Sequence, residues 1–164
     1  MISKIKLNLL NYAGIFLFVY IAYLLTFYLP GLLVIHFYGG SLYFLCYFIG
    51  IIMLIVGFYL WFCSIYYLRI IGKGTPHPFY NPPKILVSTG TYKYLRHPIY
   101  LGFILLLLGK GLIDNNLLLI LELFVVFPAL LLMIKIEENT MMKRFKEEYK
   151  NYGTKTYRLF PFIY

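Results

Sequence analysis

The sequence predicts an all-α integral membrane protein: four transmembrane helices, a long cytoplasmic loop and a C-terminal helix that together form one site. Three observations predict it. The chain is 62% hydrophobic and only 13% charged, against about 25% charged in ordinary soluble domains. No Asp, Glu, Lys or Arg occurs from Leu7 to Leu68, a run that holds two spans of roughly 20 residues each. The mean hydropathy is +0.78. The 164 residues make a single membrane domain, with two N-terminal spans in 1–71 and the loop, a hairpin and the C-terminal helix in 72–164.

The first span is expected over Leu9 to Leu29, closed by Pro30-Gly31. Lys4 and Lys6 ahead of it resemble the start of a signal peptide, but the apolar run is long and no small-residue cleavage site closes it, so a retained helix is expected. A turn with His36 and Gly39-Gly40 leads to the second span, Ser41 to Ile71, long enough to tilt or to project beyond the bilayer. Cys46 and Cys63 share this helix and lie 17 positions apart, roughly 25 Å along its axis. They cannot pair with each other; they read as small apolar packing residues, and no zinc spacing is present.

Gly72 to Leu95 is the main polar connection, made stiff and turn-rich by Gly72-Lys73-Gly74-Thr75-Pro76-His77-Pro78 and by Asn81-Pro82-Pro83. The third span is short, Pro98 to Ile113, and Gly111 to Asn116 is a tight turn. The fourth runs from Leu117 to Ile136 and continues as a charged helix from Glu137 to Tyr152. On that helix Glu138, Met142, Phe145, Tyr149 and Tyr152 fall on one stripe, which would turn Glu138 toward the packed side and set Glu137 beside it. Lys143 with Glu147 and Arg144 with Glu148 are i, i+4 pairs for the outer face. Glu122 lies inside the fourth span near its outer end, where a carboxylate is either functional or within reach of the interface.

Charge fixes the expected orientation. With both termini and the long loop on one side, that side holds every one of the 15 Lys and Arg residues except Lys110, so it is read as cytoplasmic. The same bias accounts for the net charge of +9 without nucleic acid, for which no recognition module is present.

This topology brings two sets of charged residues to one edge. Arg96 and His97 stand directly before Pro98, which suits a helix's first position, and a helix N-terminus attracts anions. The third and fourth spans form an antiparallel hairpin, so Glu137 and Glu138 return to the same cytoplasmic edge. A cationic and an anionic pocket side by side suit a zwitterion such as an amino-acid head group. Taken singly, these residues have plainer readings: Arg96 and Lys93 as interfacial anchors, His97 as a helix cap, Glu137 and Glu138 as a solvated pair.

The order of the motifs adds to this. Gly90-Thr91-Tyr92, Arg96-His97-Pro98-Ile99-Tyr100-Leu101-Gly102, Glu137-Glu138, Phe145-Lys146-Glu147-Glu148-Tyr149-Lys150-Asn151-Tyr152 and Pro161 follow one another around the hairpin. In this the chain resembles the isoprenylcysteine carboxyl methyltransferase and phospholipid methyltransferase family of membrane enzymes. The resemblance covers Gly72 to Pro161. Thr91 stands where proline is usual, Lys146 where glycine is usual, Asn139 where bacterial relatives often have proline, and Tyr157-Arg158 alters the terminal stretch.

The resemblance implies S-adenosylmethionine as cofactor, held by Tyr92, Arg96, His97, Pro98, Tyr100, Leu101, Gly102, Glu137 and Glu138, and needs no metal. Gly102 would let the adenosyl group approach the helix backbone. Roles in the chemical step stay open, with Arg96 and Glu138 as candidates. The acceptor is expected to be a lipid or prenylated molecule entering from the bilayer. An isoprenylcysteine carboxylate fits best, with a phospholipid amine or a small thiol as alternatives. Two rivals remain: a nicotinamide-dependent membrane reductase, for which the chain is short, and a non-enzymatic membrane assembly subunit.

Overall fold

A computed structural model describes residues 39–75 and 81–161; the expected first span and His77 lie outside the described residues. The described chain is helical. Helix α1 is Ser41–Ile70, a single 3-10 turn is Gly90–Lys93, α2 is Pro98–Ile113, α3 is Leu117–Phe145 and α4 is Glu147–Gly153. Two of these, α1 from Leu42 and α3, are long and apolar enough to cross a membrane, while α2 is apolar and shorter.

The boundaries follow local chemistry. Pro98 opens α2, where its missing N–H removes no helical bond. Asn115 takes a positive φ of 50° to turn the chain. Asn116 then caps α3, its side-chain oxygen accepting from the Leu118 N–H at 3.0 Å. Pro128 sits inside α3 and withdraws one N–H from the helical ladder. Lys110 and Asp114 form an i, i+4 ion pair at the end of α2.

Between α1 and the 3-10 turn the polar connection folds back on the helix end. The Gly74 N–H donates to the Leu68 carbonyl at 3.2 Å and the Lys84 N–H to the Gly72 carbonyl at 2.7 Å. Gly90 has φ +62°, and a Cβ there would lie 2.3 Å from the Tyr67 ring. Only glycine fits both conditions. Thr91, in the place of the family's usual proline, shares a 2.9 Å hydrogen bond with the fully buried Ser64 hydroxyl of α1.

Three small cores pack along the hairpin and around the end at which α2 begins. The largest joins Leu95, Leu101, Ile104 and Leu107 to Val126, Leu130 and Ile134 of α3 and to Leu159. Leu68, Val87 and Tyr92 form the second, Met141, Tyr149 and Tyr152 the third.

The expected continuous helix from Glu137 to Tyr152 is corrected by a break at Lys146, which has φ +48° and ψ −120°. The stripe changes with it. Met141 is buried and Met142 is exposed, because the face that buries Val126, Leu130 and Ile134 reaches Met141 seven residues on. Tyr149 and Tyr152 are buried from a new helix with its own phase. The break also ends the register that Lys143–Glu147 and Arg144–Glu148 needed; Glu147 instead pairs with Lys150 at 3.6 Å.

A lysine in this backbone region carries strain on the order of 1–3 kcal/mol, and the family's usual glycine carries none. Lys146→Gly is therefore expected to stabilise the protein by roughly 1 kcal/mol after glycine's own entropic cost. Thermal unfolding in detergent should show a higher midpoint; a lower one would mean that the lysine side chain makes a contact that outweighs its backbone.

Candidate functional site

The hairpin brings Arg96-His97 and Glu137-Glu138 into direct contact. Expected as two neighbouring pockets, they form one cluster of ion pairs. Glu138 is its hub. Its Oε1 lies 3.2 Å from Arg96 Nη1 and 3.4 Å from His97 Nε2, and its Oε2 lies 2.6 Å from Arg158 Nη2. Glu137 Oε2 is 3.5 Å from His97 Nδ1. Each ring nitrogen of the buried imidazole thus faces its own carboxylate.

The backbone explains why the cluster forms here. Leu95 and Tyr157 make an isolated parallel bridge. The Tyr157 N–H donates to the Tyr94 carbonyl at 2.9 Å, and the Arg96 N–H donates to the Tyr157 carbonyl at 2.8 Å. The Tyr152 hydroxyl donates to the Tyr92 carbonyl at 2.7 Å and reaches the Leu95 carbonyl at 3.3 Å. Helix α4 and the segment after it are thereby tied to the residues before α2.

Glu137, not Glu138, lines the open space. One cleft is walled by Arg96, His97 and Glu137, by Leu86 and Val87 of the connection, and by Phe145, Tyr149 and Tyr152. A second is walled by Tyr92, Arg96, His97, Ile99, Tyr100 and Glu137. The stripe had turned Glu138 toward the pocket; the structure turns it toward three cations. Tyr100 sets its ring 5.7 Å from His97. Pro98 is buried beneath the cluster.

Two sequence-derived site residues point elsewhere. Leu101 packs in the apolar core with Val126 and Ile134. Gly102 faces α1: a Cβ there would lie 2.8 Å from the Gly57 carbonyl oxygen and 2.9 Å from the Trp61 nitrogen. Its missing side chain makes room for a helix, which corrects the expectation that it makes room for a nucleoside. Glu122 is buried within α3, fifteen residues before Glu137 along that helix, at least roughly 20 Å. Arg158 is the cluster member that sequence reading missed. It follows Tyr157 at a position already unusual for the family, but only the pairing with Leu95 shows where it lands.

Burial alone would push the His97 imidazole below its ordinary value, but the hydrogen bonds to Glu137 and Glu138 outweigh it and the net shift is upward. Burial raises Tyr92, helped by the Glu137 charge, and burial also raises Tyr149 and Tyr152. These phenols stay neutral near pH 7. A histidine whose folded value lies above its unfolded 6.5 adds stability that is fully present below about pH 6.5 and is lost as pH rises through the folded value. The wild-type advantage over His97→Gln in thermal midpoint should therefore be largest near pH 6 and shrink toward pH 9. An advantage constant with pH would mean that the ring is held neutral.

The cluster fits the head group of an amino-acid-like cofactor. The Arg96 Nε is buried with no hydrogen-bond acceptor among the described residues, leaving a donor for a carboxylate. Glu137 stands on the cleft wall as acceptor for an ammonium or a hydroxyl. The first cleft has a volume of only about 30 Å³, far below the usual range for small-ligand sites, about 300–1,000 Å³. Its walls stand close together, so a nucleoside enters only with movement of one of them. Among the described residues no group of His, Cys, Asp and Glu is arranged to hold a metal ion.

A family profile described as phospholipid methyltransferase matches residues 45–148. The chain is also 33% identical over 128 residues to the protein-S-isoprenylcysteine O-methyltransferase of Saccharomyces cerevisiae (strain ATCC 204508 / S288c), covering 73% of this chain and 50% of that protein. The chain thus spans about half the length of this curated relative. No solved structure matches it.

Proposed function

The chain belongs to the phospholipid methyltransferase family, and on that premise we propose that it methylates the carboxylate of a lipid or lipid-linked acceptor with S-adenosylmethionine at the cytoplasmic edge of the membrane. The family and the two long apolar helices mark a membrane protein. The positive-inside bias supports the cytoplasmic placement of the cluster. S-adenosylmethionine, when bound, supplies an electrophilic methyl group. The residues of this chain have three tasks: to hold the donor, to orient the acceptor and to keep water out. Arg96 and His97 would hold the donor's carboxylate, Glu137 its ammonium or ribose hydroxyls, and the rings of Tyr92, Tyr149 and Tyr152 would shield it.

The acceptor class is supported by how the basic groups of the cluster are engaged, with Glu137 assigned to the donor's ammonium or hydroxyls. A carboxylic acid is ionised at neutral pH and attacks without losing a proton. An amine or thiol, with values of about 10 and 8.5, must first be deprotonated. His97 has both ring nitrogens engaged by carboxylates, so neither is presented to an acceptor. Glu138 is committed to Arg96, His97 and Arg158. The buried tyrosines are neutral. That combination favours the carboxylate, which is also the group implied by the relative's name, over a phospholipid amine or small thiol.

The test is incubation of purified protein with radiolabelled S-adenosylmethionine and host membrane extract, followed by mild base. A methyl ester releases its label as methanol, whereas a methylated amine or thioether keeps it. Base-stable label in the lipid fraction would favour the amine or thiol reading. No binding of S-adenosylhomocysteine, with a thermal shift on NADPH, would favour the reductase.

A further inference from the structure

Arg158 stands in the terminal stretch where the chain departs from the family pattern, and it makes the shortest contact to Glu138. The geometry is specific. Tyr157 is fixed by backbone bonds to Tyr94 and Arg96, and Leu159 is fully buried in the main core. With its two neighbours pinned, residue 158 is set beside the cluster, and its guanidinium meets Glu138 Oε2 at 2.6 Å. Arg96 and His97 meet the other oxygen, at 3.2 and 3.4 Å. Glu138 is therefore held through both oxygens, by Arg96 and His97 on one and by Arg158 on the other.

This division bears on Arg96. A carboxylate with one strong partner draws that partner into a bidentate pair. Without Arg158, Glu138 is free to turn both oxygens to Arg96, which would withdraw the guanidinium from the cleft. With Arg158 present, Arg96 contacts Glu138 through Nη1 alone, and its buried Nε keeps no acceptor among the described residues. We propose that Arg158 is a positioning residue of the donor site: it occupies Glu138 Oε2 and so leaves Arg96 with donors for an incoming carboxylate. The inference rests on the proposed function, because the ligand it serves is the donor's head group.

The experiment is a double-mutant cycle on the full-length chain in detergent, read by calorimetric titration with S-adenosylhomocysteine. Arg158→Met keeps the apolar stem and removes the charge; it should weaken binding about tenfold, within the usual coupling range for residues in one network. Arg158→Lys should recover most of the loss. Arg158→Met combined with Glu138→Gln should bind no more weakly than Glu138→Gln alone. Wild-type affinity in Arg158→Met, or losses that multiply in the double variant, would overturn the proposal. If Arg158→Met does not fold, Arg158→Lys decides: binding within about threefold of wild type supports the positioning role, and a larger loss in a folded variant overturns it. If the wild type itself does not bind S-adenosylhomocysteine, the donor reading falls. The same cycle read on thermal midpoints then tests whether Arg158 acts through Glu138, and additive shifts overturn that link.

Discussion

Glu138→Gln is expected to lower the thermal midpoint by several degrees and to weaken S-adenosylhomocysteine binding by about two orders of magnitude. The substitution keeps the shape and removes the charge that Arg96, His97 and Arg158 share at 3.2, 3.4 and 2.6 Å. Removing one partner of a buried ion pair costs about 3–5 kcal/mol, because the remaining charge is left uncompensated. The Glu138 side chain is only 17% exposed and the two arginines 21%, so water screens the cluster partially and a loss of about 3 kcal/mol is the better expectation. Three cations then repel one another around a neutral amide, and Arg96 loses the anchor that aims it.

Glu137→Gln provides the contrast. Glu137 meets His97 at 3.5 Å, hydrogen-bonds the Tyr100 side chain and lines both clefts. Its replacement should cost less stability than that of Glu138, which holds three partners, and much ligand affinity. Thermal shift and calorimetry on the two variants separate the hub from the ligand contact. Equal stability losses in both would mean that the carboxylates share the load, contrary to the geometry.

Much of this arrangement is legible in the sequence because topology carries it. Pro98 marks the start of α2 by its backbone chemistry, and the tight turn before Asn116 makes α2 and α3 a hairpin. That alone brings Arg96-His97 to Glu137-Glu138. The finer arrangement is set by contacts between distant segments. Nothing near Arg158 signals that it reaches Glu138, since the Leu95–Tyr157 bridge joins residues 62 positions apart. The helix break at Lys146 is hidden because lysine is an ordinary helix residue; a glycine there would have announced it. The phase error at Met142 follows from extending one helical stripe across that break. The unusual Thr91 is legible only with Ser64 in view, since the hydroxyl pair replaces by a hydrogen bond the rigidity that proline has by its ring.

Gly102 has a signal in the sequence that points to packing. Gly50 and Gly57 stand seven residues apart on α1, and Gly102 and Gly109 stand seven apart on α2. Small residues at such spacing let helix backbones approach closely in membranes. In the structure the two pairs meet: a Cβ on Gly50 would lie 2.8 Å from the Gly109 carbonyl oxygen, and one on Gly57 would lie 2.9 Å from that of Gly102. The atoms opposite Gly102 are backbone atoms of Gly57 and Trp61, which cannot rotate away as a side chain would. Even Gly102→Ala must push the helices apart. Overpacking of this kind costs about 1–3 kcal/mol and occasionally more; with backbone on both sides the upper end is expected, a fall of roughly 6–12 °C in thermal midpoint. Gly39→Ala is the control, since nothing lies within 4 Å of a Cβ there. The order of effects distinguishes the two roles of Gly102. If it gave a nucleoside access, alanine would cut S-adenosylhomocysteine affinity and leave the midpoint of the free protein unchanged. If it seats α2 on α1, the midpoint falls without any ligand. Affinity then falls as well, because Pro98, His97 and Arg96 lie within about two turns of the displaced backbone, and the ion-paired cluster is only as well placed as the helix that begins at Pro98.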